Sequence, residues 1–516
     1  MAISDAVGLE LISRVVGYKL TKGDFSDSTP NLPQRIAVFC EVNTANQSTV
    51  DFNTAKRITS AQAAGNWGGF GSPAHIIARI LFPVNGGGSI GGIPVYFMPQ
   101  EVAVDAVACE KTVEVSGTAT AGGTHFVVIG GRYSVDGGSY AVNIAAGDTA
   151  TEVAVKIYNT VNNVLGCPMT ATQTSPVAET TTLVSKWKGL TADGITVSVD
   201  TNGNDLGLTY TVTDTVAGSG TNTVAASLTK FFGNEWYTLV LNSYGFTQTI
   251  IDEFQAFNGI PDPDNPTGRY SPTIFKPFLC LTGTTLNTDV DTADTVICDA
   301  EKTEVTIVPC PAPSSPGLPM EAAANALARF ARCAQDTPHL DIGGRSYPDM
   351  PVATTQFAMQ SYTVRDALVK MGMSTVDLVA GAYQVQDFVT TYHPVGEVPP
   401  QFRYARNLNL DYNVRYSYLL LEQLYVVDSA IANDGDEVEA TSVITPSAWK
   451  ATLYEMYTDL TKRALIADPA FSKASTQVAI SSTNPDRLET FFRYKRTGVT
   501  RISSTTAEAG FNFGTA

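Results

Sequence analysis

The sequence predicts a multi-domain α/β (α+β) protein, with a partly parallel sheet, packed helices and an inserted, mostly β domain. Three observations predict it. The chain has 516 residues, more than one hydrophobic core usually organises. From about residue 231 strand-like and helix-like runs alternate, the rhythm of βα units on a parallel sheet. Between residues 103 and 226 the composition shifts to Thr, Val, Ala and Gly, and short strand runs follow one another across turns.

Residues 1–34 carry an apolar run (Leu9, Leu11, Ile12, Val15, Val16) and then a polar stretch, which reads as an arm attached to a core. RIAVFCEV at 35–42 and IPVYFMPQEV at 93–102 read as strands. Between them, Ser72 and Pro73 read as the N-cap and first residue of a helix with Ile76, Ile77, Ile80 and Leu81 on its buried face. In the 103–226 region, Thr149 and Glu152 form a capping-box pattern. Val153, Ile157, Val161 and Val164 then line one helical face, and Gly166 stands where a C-terminal cap belongs.

Further on, EWYTLVLNS, PFLCLTG and EVTIVPC read as strands, and TQTIIDEFQAF and PMEAAANALARFARCAQ as helices. TVRDALVKMG reads as a short helix closed by Gly372, and a hairpin then turns at Gly381. Two long helices follow, NLDYNVRYSYLLLEQLYVVDSAI and TPSAWKATLYEMYTDLTKRALIA. At the end, Thr490–Lys495 and Val499–Ser504 read as strands joined near Gly498. The domain reading is a 1–34 arm, a discontinuous core at 35–102 and 231–486, an insertion at 103–226 and a terminal strand or arm at 487–516.

Composition excludes several function classes. A net charge of −17 argues against a nucleic-acid binder, which needs clustered Lys and Arg to displace counterions. Charged residues make up only 16%, so much of the surface is neutral and suits cover by neighbouring molecules. The seven cysteines are scattered with no CxxC pair, which fits buried thiols rather than a disulfide framework. No basic n-region opens the chain, and no apolar run is long enough to span a membrane. A soluble product without membrane insertion is expected.

Catalysis and cofactor binding leave clusters, and the sequence shows none. His75, His125, His339 and His393 are far apart, and there is no HExxH. Asp262 and Asp264 begin like a calcium loop, but Pro266 interrupts it and no Glu follows at the bidentate position. NTDVDTAD at 287–294 is a similar acidic turn. Gly86, Gly88 and Gly91 spell GxGxxG, yet a strand follows where a dinucleotide site needs a helix. NWGGFGSPAH lacks the lysine of a phosphate loop. The expectation is no enzyme, no cofactor and no metal.

Residue-level likeness goes further. RIAVFCEV followed by RITSAQAAGNWGGFGSPAHIIARIL, then GRYSP at 268–272, then RDALVKMGMSTVDLVAGAYQVQDFVTTYHP come in an order that resembles contractile-tail sheath proteins of bacteriophages and related injection machines. The last segment runs into Val389, Thr390, Thr391 and Tyr392. The family pattern often has a basic residue two positions before the first of these, where this chain has Asp387. The likeness covers about 35–100 and 231–500.

The resemblance implies a sheath-type core. It implies a structural subunit that stacks in rings around an inner tube, as part of a virion assembled in the host cytoplasm. On baseplate triggering the rings contract and drive the tube through the host envelope. Partners would be further copies of the chain, the inner tube protein, and baseplate and tail terminator proteins. Arms at both ends would add strands to a neighbour's sheet, a use of backbone hydrogen bonds rather than side-chain specificity. The implied linkage residues are Val499, Thr500, Arg501, Ile502 and Ser503. A helix late in the chain contacts the tube in the family, which points to 446–463, with Lys450, Lys462 and Arg463 as charge contacts. The alternative is another virion structural or adhesion protein with a glycan-binding insertion.

Overall fold

Strands that are apolar on every residue must be covered on both faces, and that requirement builds the centre of the fold. A computed structural model describes residues 30–84, 90–173, 178–287, 302–353, 359–397 and 400–511. Residues 1–29 of the expected arm, Gly86 and Gly88, Cys298 and nearly all of NTDVDTAD lie outside them. The chain forms two compact units. Among the described residues, the larger is Asn31–Tyr416 with Arg463–Ala467 and the stretch from Tyr494 onward, and the smaller is Ser417–Lys462 with Asp468–Arg493.

The larger unit begins with β1 (Ile36–Cys40), β2 (Lys56–Ile58), α1 (Ala61–Gly68), α2 (Pro73–Leu81) and β3 (Val95–Pro99). An all-β stretch with one long helix follows: β4 (Ala108–Gly117), β5 (Gly123–Ile129), β6 (Ala141–Ile144), α3 (Ala150–Asn163), β7 (Met169–Thr172), β8 (Thr180–Lys188), β9 (Val197–Asp200) and β10 (Leu208–Val216). The βα rhythm then runs through α4 (Ala225–Phe232), β11 (Leu239–Asn242), α5 (Gln248–Asn258), β12 (Leu279–Thr284), β13 (Ile307–Pro311) and α6 (Pro319–Asp336). After it come α7 (Tyr362–Lys370), the hairpin β14 (Thr375–Val379) and β15 (Ala382–Asp387), and the first part of α8 (Ala405–Tyr425).

The core sheet has the order β13-β12-β11-β1-β3-β2, parallel except for β2. This is the expected partly parallel sheet. Alternate residues of β1 face opposite cores. Ile36, Val38 and Cys40 pack with α1, α2 and α6, while Ala37 and Phe39 pack with α4 and α5. The insertion forms two antiparallel sheets, β10-β4-β8-β7 and β9-β5-β6. Its helix α3 carries the expected capping box, with Thr149 accepting from the Glu152 N–H. Gly166 is not the cap, because the helix ends at Asn163. A Cβ there would lie 2.2 Å from the Asp136 carboxylate, so Gly166 is a close-approach position.

The glycines of NWGGFGSPAH have the same kind of explanation. Ser72 caps α2 by accepting from the His75 N–H at 3.2 Å, and Pro73 opens the helix. Gly71 has φ +80°, and a Cβ on it would lie 2.0 Å from the Cys167 carbonyl oxygen of the insertion. Gly71→Ala is therefore expected to lower the melting temperature by several degrees, through both backbone strain and a backbone clash. Gly91→Ala is the control: it shares a positive φ but meets nothing within 4 Å, and calorimetry should show a smaller loss.

A second link between sheet and insertion is a buried acid. Glu41, 2% exposed at the end of β1, accepts a hydrogen bond from the Thr191 hydroxyl. Burial pushes its carboxyl up to about 7, with Thr191 pulling the other way. The folded chain thus keeps a proton that the unfolded chain loses near pH 4.5. Stability from this group should fall as pH rises from about 4.5 to about 7 and then level off. Glu41→Gln is expected to remove that slope, on the order of 3 kcal/mol across the window, in urea titrations at stepped pH.

The smaller unit holds the rest of α8, the short pair β16 (Ala430–Ile431) and β17 (Val443–Ile444), α9 (Pro446–Lys462), α10 (Pro469–Ser475) and the hairpin β19 (Gln477–Ile480) and β20 (Leu488–Phe491). Between them in sequence, β18 (Ile466–Ala467) belongs to the larger unit. Helix α8 was expected to run to Ile431 but stops at Tyr425. Asp428 takes a left-handed φ of 62°, and Ala430 then pairs with Val443. In the smaller core, Trp449 donates to Thr490 at 3.1 Å, and the Tyr457 and Thr476 hydroxyls lie 2.9 Å apart.

Candidate functional site

The last described stretch leaves the larger unit from a charged anchor. Strand β21 (Lys495–Arg496) pairs antiparallel with β18, Ile466 opposite Arg496. Arg496 grips Asp411 with two contacts, Nε–Oδ1 at 2.7 Å and Nη2–Oδ2 at 2.5 Å, and Tyr494 donates to the same carboxylate at 2.8 Å. This is the fork geometry in which Arg is strongest. Burial pulls the Arg496 guanidinium down and Asp411 outweighs it, so the group stays above its ordinary range. Arg406 then holds Thr497 from two sides, donating to its carbonyl at 2.5 Å and its hydroxyl at 2.8 Å.

Arg501 completes the anchor. Its guanidinium pairs with Asp341 and, at 3.2 Å, with Asp387, and it lies 3.7 Å from the Tyr404 ring centroid. The Asp341 side chain is only 5% exposed. Burial pushes the Asp387 carboxyl up, Arg501 pulls it back, and Asp341 adds to the rise. The residue that departs from the sheath pattern at 387 thus has a cation of its own, supplied by the C-terminal segment.

Of the five residues marked for linkage, Arg501 is fixed, Val499 is half-buried, and Thr500, Ile502 and Ser503 are exposed. Val499 also lines a concavity of about 590 Å³ with Tyr404, Arg406 and Arg496. From Ile502 to Phe511 every residue is exposed and none is in a helix or strand. The strand expected over Val499–Ser504 does not form: none of these residues is in a strand. The run Thr490–Lys495 is split between the end of β20 and the start of β21.

The residues marked for tube contact fall in two places. Lys450 and Lys462 are on α9, Lys450 with its ammonium 5.9 Å from the Tyr454 ring centroid and Lys462 exposed. Arg463 belongs to the larger unit and donates to Asn31 at 2.6 Å. Sequence reasoning missed Asp341, Tyr404, Arg406 and Asp411, because nothing local marks a carboxylate 160 residues from its arginine.

Among the described residues no group of His, Cys, Asp and Glu could hold a metal ion, and no helix is long and apolar enough to cross a membrane. The six described cysteines are buried free thiols. His75 is held near 4, chiefly by burial, and accepts the Gly71 N–H at 3.1 Å, so it is a neutral core histidine. Asp262 accepts the N–H groups of Asp264 and Asn265 at 2.8 Å each, the turn expected from its Pro/Asp/Asn setting.

No protein-family model matches the chain. It is similar to the Mu-like prophage FluMu tail sheath protein of Haemophilus influenzae, 26% identical over 161 residues. That match spans 31% of this chain and 31% of the relative's length. The likeness to tail sheath proteins drawn from the sequence is met by this relative. Among solved structures the chain is similar to the sheath tail protein of Desulfitobacterium hafniense, at a TM-score of 0.44 and 10% identity over 94% of this chain and all of that one. It is also similar to a chain of the anti-feeding prophage baseplate, at a TM-score of 0.45 and 9% identity over 97% of this chain and all of that one.

Proposed function

We propose that this chain is a structural, non-enzymatic subunit of a contractile tail sheath, part of a phage or phage-like particle. The observation that carries the proposal is the C-terminal segment. It leaves a buried ionic anchor at Arg496 and Arg501 and then runs exposed from Ile502 to Phe511. At roughly 3.3 Å per residue, such a segment spans about 30 Å when extended, enough to reach a strand of an adjacent subunit. Its exposed backbone, outside any helix or strand, suits strand addition, which leaves subunits joined while they rotate against one another. The similarity to a prophage tail sheath protein supports the same reading.

In this role the subunits stack as rings around an inner tube and bind baseplate and terminator proteins at the ends. Contraction needs no nucleotide site, because the extended lattice is held by a kinetic barrier until triggered. Negative-stain electron microscopy of the purified chain tests the role. Helical tubes or stacked rings are expected. A population of monomers at every concentration and salt would overturn it.

A further inference from the structure

The chain is acidic overall, with 50 Asp and Glu against 33 Lys and Arg. One concavity of the larger unit runs against this balance. Arg329 and Arg332 stand one turn apart on α6, and Arg345 comes from the loop between α6 and α7. With Ala328 and Ser346 they line a space of about 410 Å³.

These guanidiniums are poorly compensated. Arg329 uses its Nε to donate to the Ser346 carbonyl at 2.7 Å. Arg332 has one loose, exposed contact, 3.5 Å from Asp336. Arg345 makes no side-chain hydrogen bond or ion pair among the described residues. Burial depresses the Arg329 guanidinium, and Arg345 and Arg332 depress it further by repulsion. Every other arginine treated above has a designated acceptor: Arg496 and Arg501 meet carboxylates, and Arg406 and Arg463 meet uncharged oxygens.

We infer that the Arg329–Arg332–Arg345 cleft is a contact surface between copies of this chain, receiving surface carboxylates of a second copy. The inference rests on the sheath reading, which requires such contacts. A second copy is the favoured occupant because exposed stretches of this chain are rich in acids. Asp434, Asp436, Glu437 and Glu439 crowd one exposed stretch, and Asp262 and Asp264 another. Acidic subunits repel at long range, and a local cationic cleft gives short-range attraction and fixes which faces meet. Arginine suits this task, since its planar fork takes a carboxylate with two parallel hydrogen bonds.

The test uses the full chain and its polymers. Arg332→Glu with Arg345→Glu should cut polymer yield about tenfold or more, because like charges then face each other. Arg332→Lys with Arg345→Lys keeps the charge but loses the fork, so it should polymerise far better than the reversal yet below wild type, and a single Arg345→Gln should fall between the two double variants. Calorimetry on each variant separates lost assembly from lost folding; the Gln variant, which adds no charge, keeps the test informative if the double reversal misfolds. Charge-reversed chains that polymerise as wild type would overturn the inference while leaving the sheath reading intact. Reversed chains that polymerise normally but no longer co-sediment with the inner tube protein would also overturn it, moving the contact to another partner. Wild-type chains that never polymerise would sink the sheath reading and this inference with it.

Discussion

Removing residues 502–516 is expected to leave a folded chain that forms no tubes. The cut falls after Arg501, so its pairs with Asp341 and Asp387 and its contact with Tyr404 are retained. What goes is a segment whose described residues, Ile502–Phe511, are all exposed and outside any helix or strand. Deleting exposed backbone of this kind costs little stability. Calorimetry should therefore show nearly the wild-type melting temperature, and electron microscopy should show no polymers. Full-length tubes from the truncated chain would remove the segment from the linkage role. Cutting instead before Arg496 should also destabilise, because it strands Asp341 and Asp411 without their cations.

The largest loss of stability is expected at Arg132. This residue sits in the turn after β5 of the insertion and reaches Glu321 at 2.7 Å and Asp349 at 2.8 Å. The Glu321 side chain is only 4% exposed, and its other oxygen caps α6 by accepting the Leu318 N–H at 2.8 Å. Burial alone would pull the Arg132 guanidinium down, but Glu321 and Asp349 outweigh it and hold it above its ordinary range. Arg132→Met keeps the stem and removes the cation, leaving a buried carboxylate without its partner. A loss of about 3 kcal/mol is expected in urea unfolding. Adding Glu321→Gln should recover part of it, since the stranded charge is then gone. An Arg132→Met chain as stable as wild type would show that this ion pair does not fasten the insertion to α6.

The parts of the fold that were legible in the sequence are those set by local chemistry. The capping box of α3, Ser72–Pro73 at the start of α2, and the alternation of apolar strands with helices from β11 to α6 each depend on neighbours within a few residues. The fold class followed from them. Positions decided by distant contacts were not legible. Gly166 looks like a helix cap until Asp136 is placed beside it, and nothing in the sequence around Gly71 signals the close approach of the Cys167 carbonyl. The end of α8 depends on a left-handed Asp428 that the run of apolar residues does not signal. The anchor was legible only in part. Arg501 lay in a run that reads as a strand, but its carboxylates are 114 and 160 residues away and cannot be paired with it by pattern. Asp387 carried the one available hint, as an acid where the sheath pattern is often basic.

The central claim is that the segment after Arg501 joins one subunit to the next. A cryo-electron microscopy reconstruction of the polymer tests it most directly. The expected map shows residues 502–511 leaving the Arg501 anchor and lying as an added strand along the sheet of an adjacent copy. A map in which this segment folds back onto its own subunit, with neighbours joined by other surfaces, would contradict the account.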